Sequence, residues 1–398
     1  FDKKRQEIFK KLEKIEKRVG KGDGLCYPAP GEFIALKREE REKGVFTMDI
    51  QLERRYGLPT AICMVVGIVM GSGVFFKAEA VLQATGGDMA LGGAAWLIVG
   101  AIMVVCTFTF STLSSRYQKV NGVVDYAEAA LGPRYGYYVG WFMAIIYYPT
   151  LTSVLAWLSA RYFCVLLGWD ITGGPCMAIA CFFLCMSFAV NALSPWLAGR
   201  FQVATTVIKM VPLLLMAVVG TVAGLSSGQL AANFSAAGAA ETSAGASLMA
   251  SVVAVAFAYE GWIIATSINA ELKDPKRTLP LALVIGSVIV VATYLFYYVG
   301  LSGAVTTGEM MESGEQAAKL AFQRLFGQAA GTGVFVLIVV SCLGVLNGLM
   351  LACCRGMYAI AVRGEGPRPE LFAQVDPVTH MPVNSSVLGL ALCGFWLL

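Results

Sequence analysis

Lys209 in ATTVIKMVPLLL and Glu260 in SVVAVAFAYEGWIIATSINA are ionisable side chains inside long apolar runs of this sequence. A charge at bilayer depth costs a few kcal/mol or more, so each marks a candidate functional site. A third oddity is GIVMGSGVF (Gly67–Phe75), which sets three glycines and a serine in the middle of another apolar run. Glycine costs about 1 kcal/mol against alanine in a helix interior. Lone Gly67-x-x-x-Gly71 spacing also suits a small-residue packing face. Glu260 and its Tyr259-Glu260-Gly261 surroundings, in a second interrupted run five runs later, favour a deliberate break in both. Unwound backbone in hydrocarbon is tolerable only where it faces a cavity or other protein.

Broken helices carry their own chemistry. A half-helix restarting near Gly73 offers free N–H groups and a positive dipole end, which suit a carboxylate. A half-helix ending near Phe257–Ala258 offers unpaired carbonyls, which suit an ammonium. Together they match the two poles of an α-amino acid and leave side-chain selectivity to the pocket walls. A Glu260 carboxylate facing that pocket admits cationic substrates; facing away, it leaves only its carbonyl to act. Lys209 lies too deep to snorkel easily. Its partners are expected among carbonyls freed near Gly67–Gly71 and the Ser341 hydroxyl, the alternative being an interfacial lysine. Lys77 and Glu79, just beyond the first break, either pair with each other or face an outer vestibule. The third run carries Tyr137, Tyr138, Trp141, Tyr147, Tyr148 and Trp157. Most such aromatics pack or anchor at the interface, and Tyr147 is the best wall candidate.

The elements that must position these residues are membrane helices. Of 398 residues, 57% are hydrophobic and 14% charged, with mean hydropathy +0.68; soluble domains carry about 25% charge. Runs long enough to span cover 59–83, 90–113, 135–167, 176–192, 201–225, 247–270, 281–305 and 333–362, and a ninth begins at Ser385. The chain begins with Phe1 and stops inside that ninth run, so further helices are expected to follow. The first 58 residues hold 15 of the 30 Lys and Arg. Basic residues recur after the even-numbered runs, with Lys319 and Arg324 the exception. This places the N-terminus in the cytoplasm, in a multi-pass protein expected at the plasma membrane. Residues 1–47 read as a charged leader, either a basic amphipathic helix or disordered, and Met48 reads as a natural start. No early apolar core suggests a signal peptide. The cysteines read as packing residues, with Cys164 and Cys176 the one pair worth a disulfide test. A single histidine, His380, and the lack of catalytic motifs argue against a membrane-embedded enzyme, a metal site or a cofactor. Nucleic acid is not an expected partner; the lipid bilayer is, and a second subunit or a homo-oligomer stays open.

Five stretches carry a resemblance to a known family. GIVMGSGVF resembles the first-helix motif G-x-I-[IV]-G-[ST]-G-I-F of the amino acid–polyamine–organocation superfamily, closest to its L-amino-acid transporter branch. FAYEGW (Phe257–Trp262), AELKDPKRTLP (Ala270–Pro280), SCLGVLNG (Ser341–Gly348) and YQKVNGVVDYAEAALG (Tyr117–Gly132) resemble its sixth-helix, loop, eighth-helix and amphipathic-loop motifs, in order. The resemblance implies an all-α integral membrane protein of inverted-repeat (5+5) transporter fold with broken first and sixth helices, C-terminally incomplete here. Residues 48–225 would form the first repeat and 226–398 the second, truncated in its fourth helix. It implies sodium-independent amino-acid transport by alternating access, by exchange or proton coupling, of small or neutral substrates. The alternatives are a cationic amino-acid or polyamine carrier, or a sensor without net transport. Carried over by residue, Val69, Gly71, Ser72 and Gly73 would meet the substrate carboxylate. Phe257, Ala258 and Glu260 would offer carbonyls to the amine, with Phe257 also the aromatic gate. Lys209 would match the family's fifth-helix lysine, whose ammonium replaces a sodium ion and links the first helix to the eighth, near Ser341. Lys77, Glu79 and Glu260 depart from the usual pattern.

Overall fold

The computed structural model describes residue 52 and residues 54–117, 122–235, 244–377 and 379–398; the leader expected over 1–47 lies outside them. Among the described residues, eight helices are long and apolar enough to cross a membrane: Leu58–Thr85, Met89–Arg116, Pro133–Leu167, Gly174–Leu193, Trp196–Ser227, Ala244–Glu271, Pro275–Ala304 and Gln328–Ala361. A shorter apolar helix, Val383–Leu397, follows. The spacing of apolar residues located every span to within a few residues. The starts run earlier than hydropathy suggests because local chemistry sets them. Asp88 accepts from the Leu91 N–H at 2.9 Å and caps the second span, and Ser194 caps the fifth through the Leu197 N–H at 3.2 Å. The loop after the seventh span, which carries Lys319 and Arg324, holds two helices, Thr307–Ser313 and Ala317–Phe326. Thr306 and Glu309 form a capping box there, and Arg324 binds the same carboxylate.

Spans pack on the span five places later. The second lies along the seventh and the third along the eighth. The N-terminal half of the first meets the C-terminal half of the sixth, and the C-terminal half of the first meets the N-terminal half of the sixth. That antiparallel correspondence is what two inverted repeats produce. The fifth and seventh spans approach at small residues: a Cβ on Gly300 would lie 2.8 Å from the Met216 carbonyl carbon. Pro212 lies within the fifth span, and the wider turn Met216–Gly220 follows it. A similar wide turn, Phe142–Tyr147, precedes Pro149 in the third span; such turns often mark functional sites, and this one carries Tyr147. Cys164 and Cys176 are buried free thiols rather than a bridge.

Candidate functional site

The first span is helical over Leu58–Val69, leaves the helix at Met70 (φ −75°, ψ 78°) and restarts at Gly73. The Gly71 N–H turns back to the Val69 carbonyl at 2.8 Å. In an unbroken helix it would have gone to Gly67, so that carbonyl and its successors are released. Other parts of the chain take them up. The Lys209 ammonium donates to the carbonyls of Gly67 and Met70, each at 2.8 Å, and of Ser341 at 3.1 Å. Lys209 is fully buried, which rules out the interfacial alternative. The Ser341 hydroxyl is not its acceptor; it donates to the Met70 carbonyl at 3.1 Å, leaving the Ser341 carbonyl for the lysine. Gly67 leaves no room for a side chain, because a Cβ there would sit 2.5 Å from Gln202 Nε2.

The sixth span is helical to Ala256, makes one tight turn at Phe257–Tyr259, extends at Glu260 (φ −75°, ψ 156°) and reverses at Gly261 (φ 105°, ψ −15°). Only glycine adopts that last conformation cheaply, and a Cβ there would also lie 3.0 Å from Ile68. Beyond it the span continues as a tighter helix, Trp262–Glu271. The two breaks touch: a Cβ on Gly73 would lie 3.1 Å from both Cα and Cβ of Ala258.

Both breaks line one cavity, whose far wall is Leu151, Leu155 and Leu158 of the third span and Val345 and Leu349 of the eighth. Val69, Gly71, Ser72, Gly73, Phe257, Ala258 and Glu260 all line it. The Ser72 side chain does not cap the restarted half-helix, so the first N–H groups there have no partner within the helix. Tyr147 does not line the cavity itself; its hydroxyl donates to the Glu260 carboxylate, joining the third span to the sixth break. Phe257 is half-exposed at the rim, with the Lys77 ammonium 5.7 Å from its ring centre. Lys77 and Glu79 therefore do not pair, since Glu79 accepts from Gln83 Nε2 at 2.9 Å.

Two features escaped the sequence reading. Tyr294 of the seventh span donates its hydroxyl toward the carbonyls of Val69 and Ala258, both at 3.0 Å; nothing in an aromatic-rich apolar run singles it out. Arg355 forms a buried ion pair with Glu271, and an arginine inside an apolar run was an available signal. The Glu271 carbonyl also accepts the N–H groups of Arg55 at 2.8 Å and Tyr56 at 3.0 Å. The chain ahead of the first span is thereby tied to the end of the sixth. At the neighbouring end of the eighth, Arg363 pairs with Asp125.

Two interrupted spans meeting at one cavity, in a bundle whose spans pair five apart, define an inverted-repeat membrane transporter. The chain belongs to the amino acid permease family, which it matches over residues 56–398, within the amino acid–polyamine–organocation superfamily. It is 32% identical over 337 residues to the serine/threonine exchanger SteT of Bacillus subtilis (strain 168), spanning 84% of this chain and 74% of that one. It is 25% identical to the human cystine/glutamate transporter over 93% of this chain and 72% of that one. It is 27% identical to the human b(0,+)-type amino acid transporter 1 over 88% and 72%. Among solved structures, MhsT in complex with L-phenylalanine superposes with a TM-score of 0.59 at 14% identity, covering 87% of this chain and 80% of that one. Mhp1 in a closed conformation superposes at 0.55 and 14%, covering 88% and 77%. These last two establish the fold alone. The protein is thus a multi-pass membrane protein of a family that moves amino acids, and its relatives are transporters rather than enzymes.

Proposed function

We propose that this protein is a sodium-independent exchanger of small or neutral amino acids that works by alternating access, with the zwitterion held between the two breaks. The N–H groups of Ser72 and Gly73 take the carboxylate, with Val69 and Gly71 beside it, and the carbonyls of Phe257, Ala258 and Glu260 take the ammonium. Phe257 closes the outer rim, and Tyr147 acts from the third span through Glu260. The single observation that carries this reading is the meeting of both breaks at one cavity, so closely that a Cβ on Gly73 would lie 3.1 Å from Ala258. Sodium independence is supported by Lys209, whose ammonium already uses the oxygens released by the first break. A second cation there would meet a fixed positive charge. The N-terminus is cytoplasmic in this reading and the membrane is the plasma membrane.

A second reading, a carrier of cationic amino acids, is favoured by one observation: the acidic residue Glu260 is among those lining the cavity. Against it, one carboxylate oxygen already accepts from Tyr147. Counterflow in proteoliposomes tests both. Vesicles loaded with serine, alanine, threonine, leucine, arginine or ornithine are challenged with labelled serine, with sodium or with choline outside. The expected result is fast exchange with the neutral substrates and no change when sodium is replaced. Exchange driven by arginine and ornithine alone selects the second reading. Binding without accumulation selects a sensor, and a sodium requirement sinks the role given to Lys209.

A further inference from the structure

We propose that Lys77 is a specificity-determining residue: its ammonium, poised over the rim of the cavity, disfavours amino acids whose side chains carry positive charge. The inference rests on the zwitterion site proposed above and names what keeps cationic substrates out of it. Lys77 stands four residues past Gly73, so it lies about 6 Å further along the restarted half-helix and on the same face. That face turns toward the sixth break. A Cβ on Gly73 would lie 3.1 Å from Ala258, and the Lys77 ammonium lies 5.7 Å from the centre of the Phe257 ring. Phe257 lines the cavity and is half-exposed at its rim. Attraction to the ring face holds the ammonium there rather than letting it snorkel away. Among the described residues no ion pair neutralises it. Glu79 is turned aside: it accepts from Gln83 Nε2 and lies against Gly314, where a Cβ would come within 2.9 Å of Glu79 Oε2. Glu260, the acidic residue among those lining the cavity, already accepts the Tyr147 hydroxyl. A side chain entering past Phe257 therefore meets an uncompensated positive charge. Two unit charges about 10 Å apart, at the effective dielectric near a protein surface, change an equilibrium about tenfold.

The test compares amino acids matched in size and different in charge: 2,4-diaminobutyrate with homoserine, arginine with citrulline, and glutamate with glutamine. Each competes against labelled serine in proteoliposome counterflow, in the parent and in Lys77→Gln, Lys77→Arg and Lys319→Gln. Lys319 is the control, because its ammonium lies over Phe335, 5.7 Å from the ring centre, and Phe335 does not line the cavity. In the parent, diaminobutyrate and arginine are expected to compete about tenfold less well than their neutral partners. Lys77→Gln is expected to close that gap and to weaken glutamate against glutamine, each by about tenfold. Lys77→Arg keeps the charge and the parent's gap, and so does Lys319→Gln. The smallest pair decides where the larger ones do not fit. A parent blind to side-chain charge, a gap unchanged in Lys77→Gln, or the same change in Lys319→Gln overturns the assignment while leaving the zwitterion site standing. So does an equal loss for every substrate in Lys77→Gln, which marks a purely structural contact with Phe257. A parent that neither exchanges nor binds amino acids overturns both. If Lys77→Gln does not fold, the parent is read at about 20 mM and about 500 mM potassium chloride: screening of a partly exposed charge narrows the gap, and a gap indifferent to salt overturns the proposal.

Discussion

Lys209 has three ammonium protons and three carbonyl partners at 2.8–3.1 Å. Two of the partners exist because the first span breaks, and the third belongs to the eighth span. The side chain is therefore a tie between an element that must move and one that forms the wall, held by a charge that cannot reach water. Lys209→Ala is expected to slow exchange at least tenfold while changing substrate affinity less, because the substrate poles lie on other atoms. It should also lower the unfolding temperature, since buried acceptors left without a donor cost about 1–3 kcal/mol each. Counterflow rates, set beside ligand-induced thermal shifts, separate the two effects; a variant that turns over like the parent contradicts the tie. Glu260 shows the same economy of charge: its carboxylate is shared with Tyr147 rather than left bare in an apolar cavity.

The breaks belong to the scale of the element. Each needs glycine for its own reason: Gly73 for close approach to Ala258, and Gly261 for a positive φ beside Ile68. The third span supplies its contact through the wide turn Phe142–Tyr147, which leads into Pro149 and carries the Tyr147 hydroxyl. Gly73→Leu is expected to abolish binding, because any side chain there wedges the two breaks apart and fills the cavity mouth. Tyr138→Leu, on a strongly exposed face of the third span, should leave binding intact. Isothermal titration or thermal-shift measurement with serine decides; equal affinity in Gly73→Leu and parent would remove both the carboxylate assignment and the contact with Ala258.

At the scale of the molecule, the first, second, sixth and seventh spans form one group and the third, fourth and eighth, with the short helix Val383–Leu397, form another. The fifth packs on the first, seventh and eighth and lies between them. The site sits between the groups, and its free space is small, about 40 Å3. A single water needs about 10–15 Å3 of such space, so an amino acid enters only as the walls part. Substrate then shifts the equilibrium by its preference for the wider state. The groups are joined at one end by the buried Glu271–Arg355 pair and by Asp125–Arg363. Glu271→Gln leaves Arg355 buried and uncompensated, a loss of about 3–5 kcal/mol. The expected readout is a clearly lower unfolding temperature in detergent, with part of the loss recovered by adding Arg355→Met; a Glu271→Gln variant as stable as the parent would show that the pair does not hold this end together.

Much of this was present in the sequence. Hydropathy alone determined the spans, because twenty apolar residues in a row have one stable place, across hydrocarbon. Glycine clustering and a stranded carboxylate located both breaks, since the energetic penalties are local and large. Lys209 was legible for the same reason, and that it required oxygen partners followed from its charge. Two of its three partners, the Gly67 and Met70 carbonyls, are among those expected near Gly67–Gly71; the third is the Ser341 carbonyl rather than the hydroxyl, and Lys77 went to Phe257 rather than Glu79. Tyr294 had no local signature at all, because a tyrosine in an apolar run is ordinary until two carbonyls from remote segments converge on it. Local free energies are written in neighbouring residues, whereas the pairing of a donor with acceptors 36 and 225 positions away is decided only by how the helices pack.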